Sequence, residues 1–488
     1  MTWSAQPLRL IAPLTLLSVV AFGTAALSAV AVQSGSRAIA AVGLVFCLAI
    51  TAMLVRNLLA TLLFTLCIAL SYNRQFYSFD TLLGDYGSFG LFWTMSDAMM
   101  LVIMLAALAR RGVRARTLLS PPRQLSIEIP LLLLITVMAL SSLQTDPLPP
   151  AVFETLRIGK YLIYFLVLRA VLDRDLARVL LAGLGLMVAL QFALGAVQVA
   201  LGAGGSGIGS LAEQTGELAR RATGTTGHPN MYAPFLLMPA LGFIAIGASG
   251  RSLLVHRLSL GLGGAGALAI VLSQSRAPVA AFLVGLACLA GMFLARRILP
   301  APRVIGAAVV CAMLGLLAVA PLAGKIIDRL TGDLKGSVEF RADYNAAAIG
   351  IWRLDPVLGV GPAGFVPNLP AFHPDYARVN ADIQPARKVA NVRAIAPVHN
   401  VYLWILAELG ILGLTAFVLF LASAARLFLQ AGRGERPVNR FFIGVFWGFL
   451  GLCAVQLTDF SLWWDHQLMI LTLLLALAAF VRDERRVP

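Results

Sequence analysis

Charge is what this chain has least of. Of its 488 residues only 12% are charged and 59% are hydrophobic, whereas soluble globular domains carry about 25% charged and 45–50% apolar residues. A soluble fold is excluded. Acidic groups are the scarcer sign, 23 Asp and Glu against 38 Lys and Arg, for a net charge of +15. In a soluble chain that excess would point to nucleic acid. Here most basic residues border apolar runs, as an orientation signal does, so nucleic acid is not an expected partner. Cysteine is equally sparse: Cys47, Cys67, Cys288, Cys311 and Cys453 all lie inside apolar runs without CxxC spacing. Neither a zinc site nor a disulfide framework follows. No fixed-period repeat or low-complexity tract occurs. No Asp/Glu/His cluster argues for a metal, and no cofactor is expected.

What the chain has instead is long apolar runs. They fall at residues 10–32, 38–55, 57–71, 91–109, 126–143, 157–172, 177–201, 231–248, 253–273, 278–295, 304–323, 400–425, 441–457 and 463–481. Most approach the roughly 18–20 residues that cross a bilayer as a helix. The expected fold is an all-α, polytopic bundle of about fourteen transmembrane helices in a lipid bilayer. Only Arg56 and Asn57 divide the second and third runs, so whether 38–71 makes two full crossings stays open. The first run is longer than the 7–15-residue core of a signal peptide and reads as a retained span. Three regions are expected: N-terminal helices over 1–176, a core over 177–425, and a C-terminal hairpin and tail over 426–488.

Short arginine-rich loops fix orientation. Arg110, Arg111, Arg114, Arg116 and Arg123 fill one connection, and Arg296, Arg297 and Arg303 a second. Arg426, Arg433, Arg436 and Arg440 fill a third, while Arg482, Arg485 and Arg486 lie near the C-terminus. Alternation puts all four on one face, the cytoplasmic one, with both termini. The outward connections are then 72–90, 143–156, 202–230, 274–277, 324–399 and 458–462. The longest, 324–399, is a large outer loop with an amphipathic helix over Val338 to Arg353 that stops before Pro356. Gly359 to Gly364 spells GxGxxG, but with no βαβ context it reads as a turn.

Three outer stretches carry basic groups at membrane boundaries, from Arg220 to Asn230, from Leu272 to Pro278, and from Ala396 to Trp404. Arg276 sits in a connection too short to reach far into water; it either snorkels to the headgroups or is used. Arg220 and Arg221 could pair with Glu213 and Glu217. His228-Pro229-Asn230 is also good turn and cap chemistry, Asn400 beside His399 suits a helix cap, and Glu408 reads as a buried structural acid. Asp459, Trp463, Trp464 and Asp465 read first as an interfacial aromatic belt, with sugar stacking as the sharper option. Taken together, the stretches describe a site for a large anion such as a lipid diphosphate. Forked arginine contacts grip phosphate oxygens, each attraction about 4 kcal/mol at 4 Å in an effective dielectric near 20. Fixed cations also stabilise the charge that grows on a departing diphosphate, which makes a metal unnecessary. A histidine beside two arginines is biased toward its neutral form, the state that accepts a proton from an attacking hydroxyl.

At these residues the chain resembles the O-antigen ligase/polymerase superfamily of bacterial envelope enzymes. The resemblance is carried by Arg221 with Gly224, Gly227, His228, Pro229 and Asn230, and by Ser275-Arg276. It continues from Arg341 through Trp352 to Gly361, and from His399-Asn400-Val401-Tyr402-Leu403 to Gly413. It spans roughly residues 180–420. It implies a metal-independent glycosyltransferase without cofactor, acting at the outer face of the bacterial inner membrane on undecaprenyl-diphosphate-linked glycan. By position, Arg221 and Arg276 would bind the diphosphate, with Arg220 able to exchange roles with Arg221, and His399 would activate or orient the acceptor hydroxyl. His228, Asn230, Arg341 and Asn400 are further candidates for the substrate site. The acceptor would be another lipid-linked glycan in a polymerase of O-antigen or exopolysaccharide, or a lipid A-core in a ligase. Polysaccharide-assembly proteins would be further partners. The number of spans leans toward a polymerase. Two competing classes are a solute transporter, which would place ionisable groups at the midplane of related halves, and a scaffold, which would tolerate alanine at His399 and Arg276.

Overall fold

The computed structural model describes residues 58–70, 75–77, 92–109, 127–145, 148–202, 221–249, 252–296, 335–372 and 398–485. The expected runs at 10–32, 38–55 and 304–323 lie outside the described residues, as does Arg220. Each of the other apolar runs carries a helix: α1 (Leu58–Ala69), α2 (Met95–Ala109), α3 (Glu128–Ser142), α4 (Leu148–Val171), α5 (Arg174–Leu201), α6 (Pro229–Ser249), α7 (Leu253–Leu272) and α8 (Arg276–Ala295). After α9 (Lys335–Trp352) and the short α10 (Phe365–Phe372) come α11 (Val401–Ala431), α12 (Pro437–Val455) and α13 (Asp465–Glu484). Among the described residues seven helices, α5 to α8 and α11 to α13, are long and apolar enough to cross a membrane. The chain is an integral membrane protein with a helical fold, to which one antiparallel ribbon is added, β1 (Gln75–Tyr77) against β2 (Phe92–Thr94).

One expected boundary is corrected. The connection given as 143–156 is mostly helical, because α4 starts at Leu148. Pro149 and Pro150 fall in its first turn, where a helix needs no backbone N–H from them. Its early charges are tied to neighbouring helices rather than to water, as described below.

The core is centred on α6, which is buried along nearly its whole length and packs against α7, α8 and α12. Hydrocarbon gives helices no hydrophobic reason to associate, so close backbone approach does the work. In α12, Gly444 lies against the backbone of Leu241, and Gly448 against that of Met238. Large apolar side chains such as Leu253, Leu283 and Val284 stay exposed on the perimeter, where lipid would meet them.

The bundle has two chemically different ends. At one, Arg169 near the end of α4 bonds Asp483 at 2.7 Å and also pairs with Glu128, while Arg436 bonds Glu484 at 2.6 Å and Arg174 pairs with the same carboxylate. These ion pairs bundle the starts of α3, α5 and α12 with the ends of α4 and α13. At the other end lie 221–228, 273–275, 398–400 and 456–464, the loops that carry the candidate site.

Candidate functional site

The first wall is the loop 221–228, which two glutamines of α5 hold. Gln191 and Gln198 are seven residues apart on one face of the apolar stretch of α5 that follows Arg178. The Gln198 carbonyl accepts from the amides of Thr223 (3.1 Å) and Gly224 (2.8 Å), and its amide donates to the Gly224 carbonyl (2.9 Å). Gln191 accepts from the Thr225 amide (3.1 Å) and donates to its hydroxyl (2.9 Å). Gly224 has φ +52°, and a Cβ there would run into Gln191 and the Tyr232 ring. Only glycine allows that approach. The loop is joined to the next wall by the Ala222 amide, which donates to the Leu272 carbonyl at 3.0 Å.

Arg221 is 6% exposed, so its charge must be satisfied locally. Its Nε donates to the Ser273 carbonyl at 2.9 Å and its Nη2 reaches Asn230 Oδ1 at 3.5 Å. Ser275 Oγ donates to the same Asn230 oxygen at 2.9 Å. Asn230 therefore bridges the 221–230 stretch and the tight α7–α8 connection, in which Gln274 adopts a left-handed φ of 53°. Arg276 is the first residue of α8. Burial, and then the charge of Arg276, lower the Arg221 pKa to about 10. The two guanidinium groups thus feel each other's charge, although 55 positions separate them in the chain.

His228 accepts the Asn230 amide on Nδ1 at 3.2 Å, which leaves Nε2 to carry the proton of the neutral ring. Burial lowers its pKa to about 4, helped by Arg221 and by His399. That places His399 beside the first wall. His399 is also lowered to about 4, by burial first and by Arg341 of α9 second. Burial and the Arg341 charge thus both favour the neutral imidazole of His399. Asn400 caps α11, its Oδ1 accepting from the amides of Tyr402 (3.1 Å) and Leu403 (3.2 Å). The Val401 amide donates to the carbonyls of Gln456 and Asp459 at 3.1 and 3.2 Å. That bond joins His399 to the loop between α12 and α13.

Asp459 in that loop is 8% exposed and lies within the field of Arg341. Burial raises its pKa to about 7, against the opposing bond from the Phe460 amide (2.7 Å) and the Arg341 charge. Phe460 meets the His399 ring edge-on, with centroids 5.3 Å apart.

The turn from Asp355 to Gly364 docks on a break in α11. Gly410 has φ +63°, and the helix bonds that would cross it are replaced from outside. The amides of Val360 and Gly361 donate to the carbonyls of Ala407 (3.1 Å) and Glu408 (2.8 Å). In return the amides of Ile411 and Leu412 donate to the carbonyls of Pro356 (3.0 Å) and Val357 (3.3 Å). The GxGxxG string is a turn, as expected, and Glu408 is buried with Oε1 accepting the Phe365 amide at 3.2 Å. This insertion anchors the segment that follows α9, and with it Arg341.

The structure also contains a polar network that a reading of single motifs misses. Asp465 is 3% exposed and takes Lys160 at 2.9 Å, Arg157 at 3.4 Å and the Tyr161 hydroxyl. Lys160 also bonds Asp97 at 3.0 Å, which accepts from Tyr164 at 2.8 Å and from the Thr94 amide at 2.7 Å. Glu154 holds Arg157 at 2.5 Å and the Trp463 indole at 2.8 Å. The signal was present: Glu154, Arg157, Lys160, Tyr161 and Tyr164 recur at three- and four-residue intervals, one face of a helix. Among the described residues no group of three or more His, Cys, Asp or Glu is placed to hold a metal.

The structure thus brings Arg221, Arg276, His228, Asn230, His399, Asn400 and Arg341 to one end of the bundle. A comparison with curated proteins gives no match. Residues 262–418, a stretch that contains Arg276, Arg341, His399 and Asn400, match the family described as O-antigen ligase, which supports a place in the O-antigen ligase/polymerase superfamily.

Proposed function

We infer that the protein is a glycosyltransferase that moves a glycan from a lipid diphosphate to a sugar hydroxyl at the outer face of the bacterial inner membrane. The family match supports a ligase- or polymerase-type function, and with it lipid-linked glycan substrates. The observation that carries the finer reading is that Arg221, in the field of Arg276, is tied to the α7–α8 connection through Ser273 and Asn230 at the same end of the bundle as His399, whose imidazole burial and Arg341 favour as neutral. Arg221 and Arg276 repel each other, and a polyanion relieves that repulsion. In the proposed reaction the acceptor oxygen attacks the anomeric carbon. The carbon–oxygen bond to the diphosphate breaks, its electron pair leaving on the diphosphate, and the hydroxyl proton passes to the His399 imidazole. The result is transfer with inversion, and the arginine charges stabilise the leaving group without a metal. Arg220 is a reserve for Arg221, while His228, Asn230 and Asn400 hold the two loops in place. The arginine-rich ends of the bundle, 432–436 and 482–485 among them, face the cytoplasm.

Between the two acceptor types we favour a polymerase of surface glycan. Deleting the gene and analysing both surface glycan and lipid-linked intermediates tests this. A polymerase predicts that single lipid-linked repeat units remain; finished but unattached chains would instead indicate a ligase. An unchanged envelope would reject the function.

A further inference from the structure

The loop between α12 and α13 supplies aromatic rings beside His399 to which the proposed chemistry gives no role. Its backbone is fixed from within. The Leu462 amide donates to Gln456 Oε1 at 2.9 Å, and Gln456 Nε2 donates to Ser461 Oγ at 3.0 Å. The amides of Trp463 and Trp464 return to the carbonyls of Phe460 (3.0 Å) and Ser461 (3.2 Å). One of its three rings is structural: Trp463 is 7% exposed, bonded to Glu154, packed under Arg157 and set against Trp404 and Phe417.

The other two are less buried, although Phe460 also meets Trp404 edge-on, with centroids 5.9 Å apart. Phe460 and Trp464 are both partly exposed, and their planes lie within 34° of each other with centroids 5.8 Å apart. Phe460 is also the ring that meets His399, and Asp459, next in sequence, is a carboxyl within the field of Arg341. Two partly exposed aromatic rings on a rigid backbone offer the apolar surface against which the C–H face of a pyranose ring packs. Rings held in place before binding lose little entropy on contact, and aromatic side chains supply large rigid area with few torsions.

We propose that Phe460 and Trp464 form the acceptor subsite, stacking on a sugar ring so that one of its hydroxyls faces His399. This rests on the transferase reading for its consequence but not for its test, because glycan binding is measurable without turnover. The probe is oligosaccharide freed by mild acid from the host cell's own surface glycan, carrying no lipid and no diphosphate. It is titrated by calorimetry into the full-length protein in lipid nanodiscs.

Saturable binding by the unaltered protein is expected, with about tenfold weaker affinity for Trp464→Leu and for Phe460→Leu, the size of one lost ring contact. Trp464→Phe keeps a ring and retains most of the affinity, which separates stacking from misfolding. In turnover, Trp464→Leu raises the KM for acceptor and leaves the KM for donor in place. Absence of saturable binding, or leucine variants that bind as tightly as the unaltered protein, overturns the proposal and returns the pair to the role of a lipid-interface belt. If the unaltered protein binds the oligosaccharide but transfers nothing, the transferase reading fails and the sugar site stands.

Discussion

Removing the Asp465 carboxylate charge measures how far α4 and α13 depend on their buried ions. Asp465 is 3% exposed and serves Lys160, Arg157 and Tyr161. Breaking a buried pair by deleting one partner costs about 3–5 kcal/mol, because the other charge is left stranded in low dielectric. Here neither cation is wholly stranded, since Lys160 keeps Asp97 at 3.0 Å and Arg157 keeps Glu154 at 2.5 Å. Asp465→Asn, which preserves shape, is therefore expected at the lower end, about 3 kcal/mol. Lys160→Met leaves Asp97 with Tyr164 and Thr94 and leaves Asp465 with Arg157 and Tyr161. The double variant should cost less than the sum of the singles by about 1–3 kcal/mol, because the second change removes a charge the first has already orphaned. Reversible unfolding in mixed micelles reads all three. A single-variant cost below about 1 kcal/mol, or additivity within about 0.5 kcal/mol, would refute the reasoning.

The histidines set a pH dependence. His228 and His399 are held neutral with pKa values near 4 instead of their ordinary 6.5, so the acid limb of kcat that His399 controls should fall near pH 4. An acid limb near 6.5 in kcat would contradict the environment described for His399. For stability the sign is fixed: the unfolded chain takes up protons below 6.5 that the folded chain refuses. Their contribution is full above pH 6.5 and declines toward pH 4, which unfolding at pH 7 and pH 5 would register. Gln198→Leu strands two amides and a carbonyl of the 221–228 loop, at about 1–3 kcal/mol for each buried group left unpaired; unfolding free energy checks it, with a larger donor KM as the functional sign. Gly410→Ala forces a side chain into a left-handed φ and against the Val357 carbonyl. It should cost about 1–3 kcal/mol of strain and loosen the 356–361 turn, seen as faster limited proteolysis there.

The helical architecture was legible because spanning runs are long and nearly charge-free, and each run within the described residues carries a helix. The start of α4 was not legible. Glu154, Arg157 and Lys160 lower the local hydropathy, and their partners Asp465 and Asp97 lie far away in sequence. Arg221, Arg276, His228 and His399 were legible as misplaced polar groups at membrane boundaries. That they share one outer face followed from the alternation of spans, but the contacts that join the loops did not, since they depend on Asn230 bridging two loops and on Val401 bonding the α12–α13 loop. Asp459 was read as part of an aromatic belt because its value comes from Arg341, more than a hundred positions earlier. Gly410 gave no sign of a helix break, because the replacement hydrogen bonds come from the 356–361 turn.

Binding of a short polyprenyl diphosphate to the purified protein in nanodiscs tests the central claim most directly. The account predicts saturable binding that weakens about 10–150-fold in Arg221→Met and in Arg276→Met, the loss of a hydrogen bond to a charged group at about 1.5–3 kcal/mol. Binding should persist in His399→Ala, which loses transfer alone. Equal affinity in all four proteins would show that the two guanidinium groups do not hold the diphosphate.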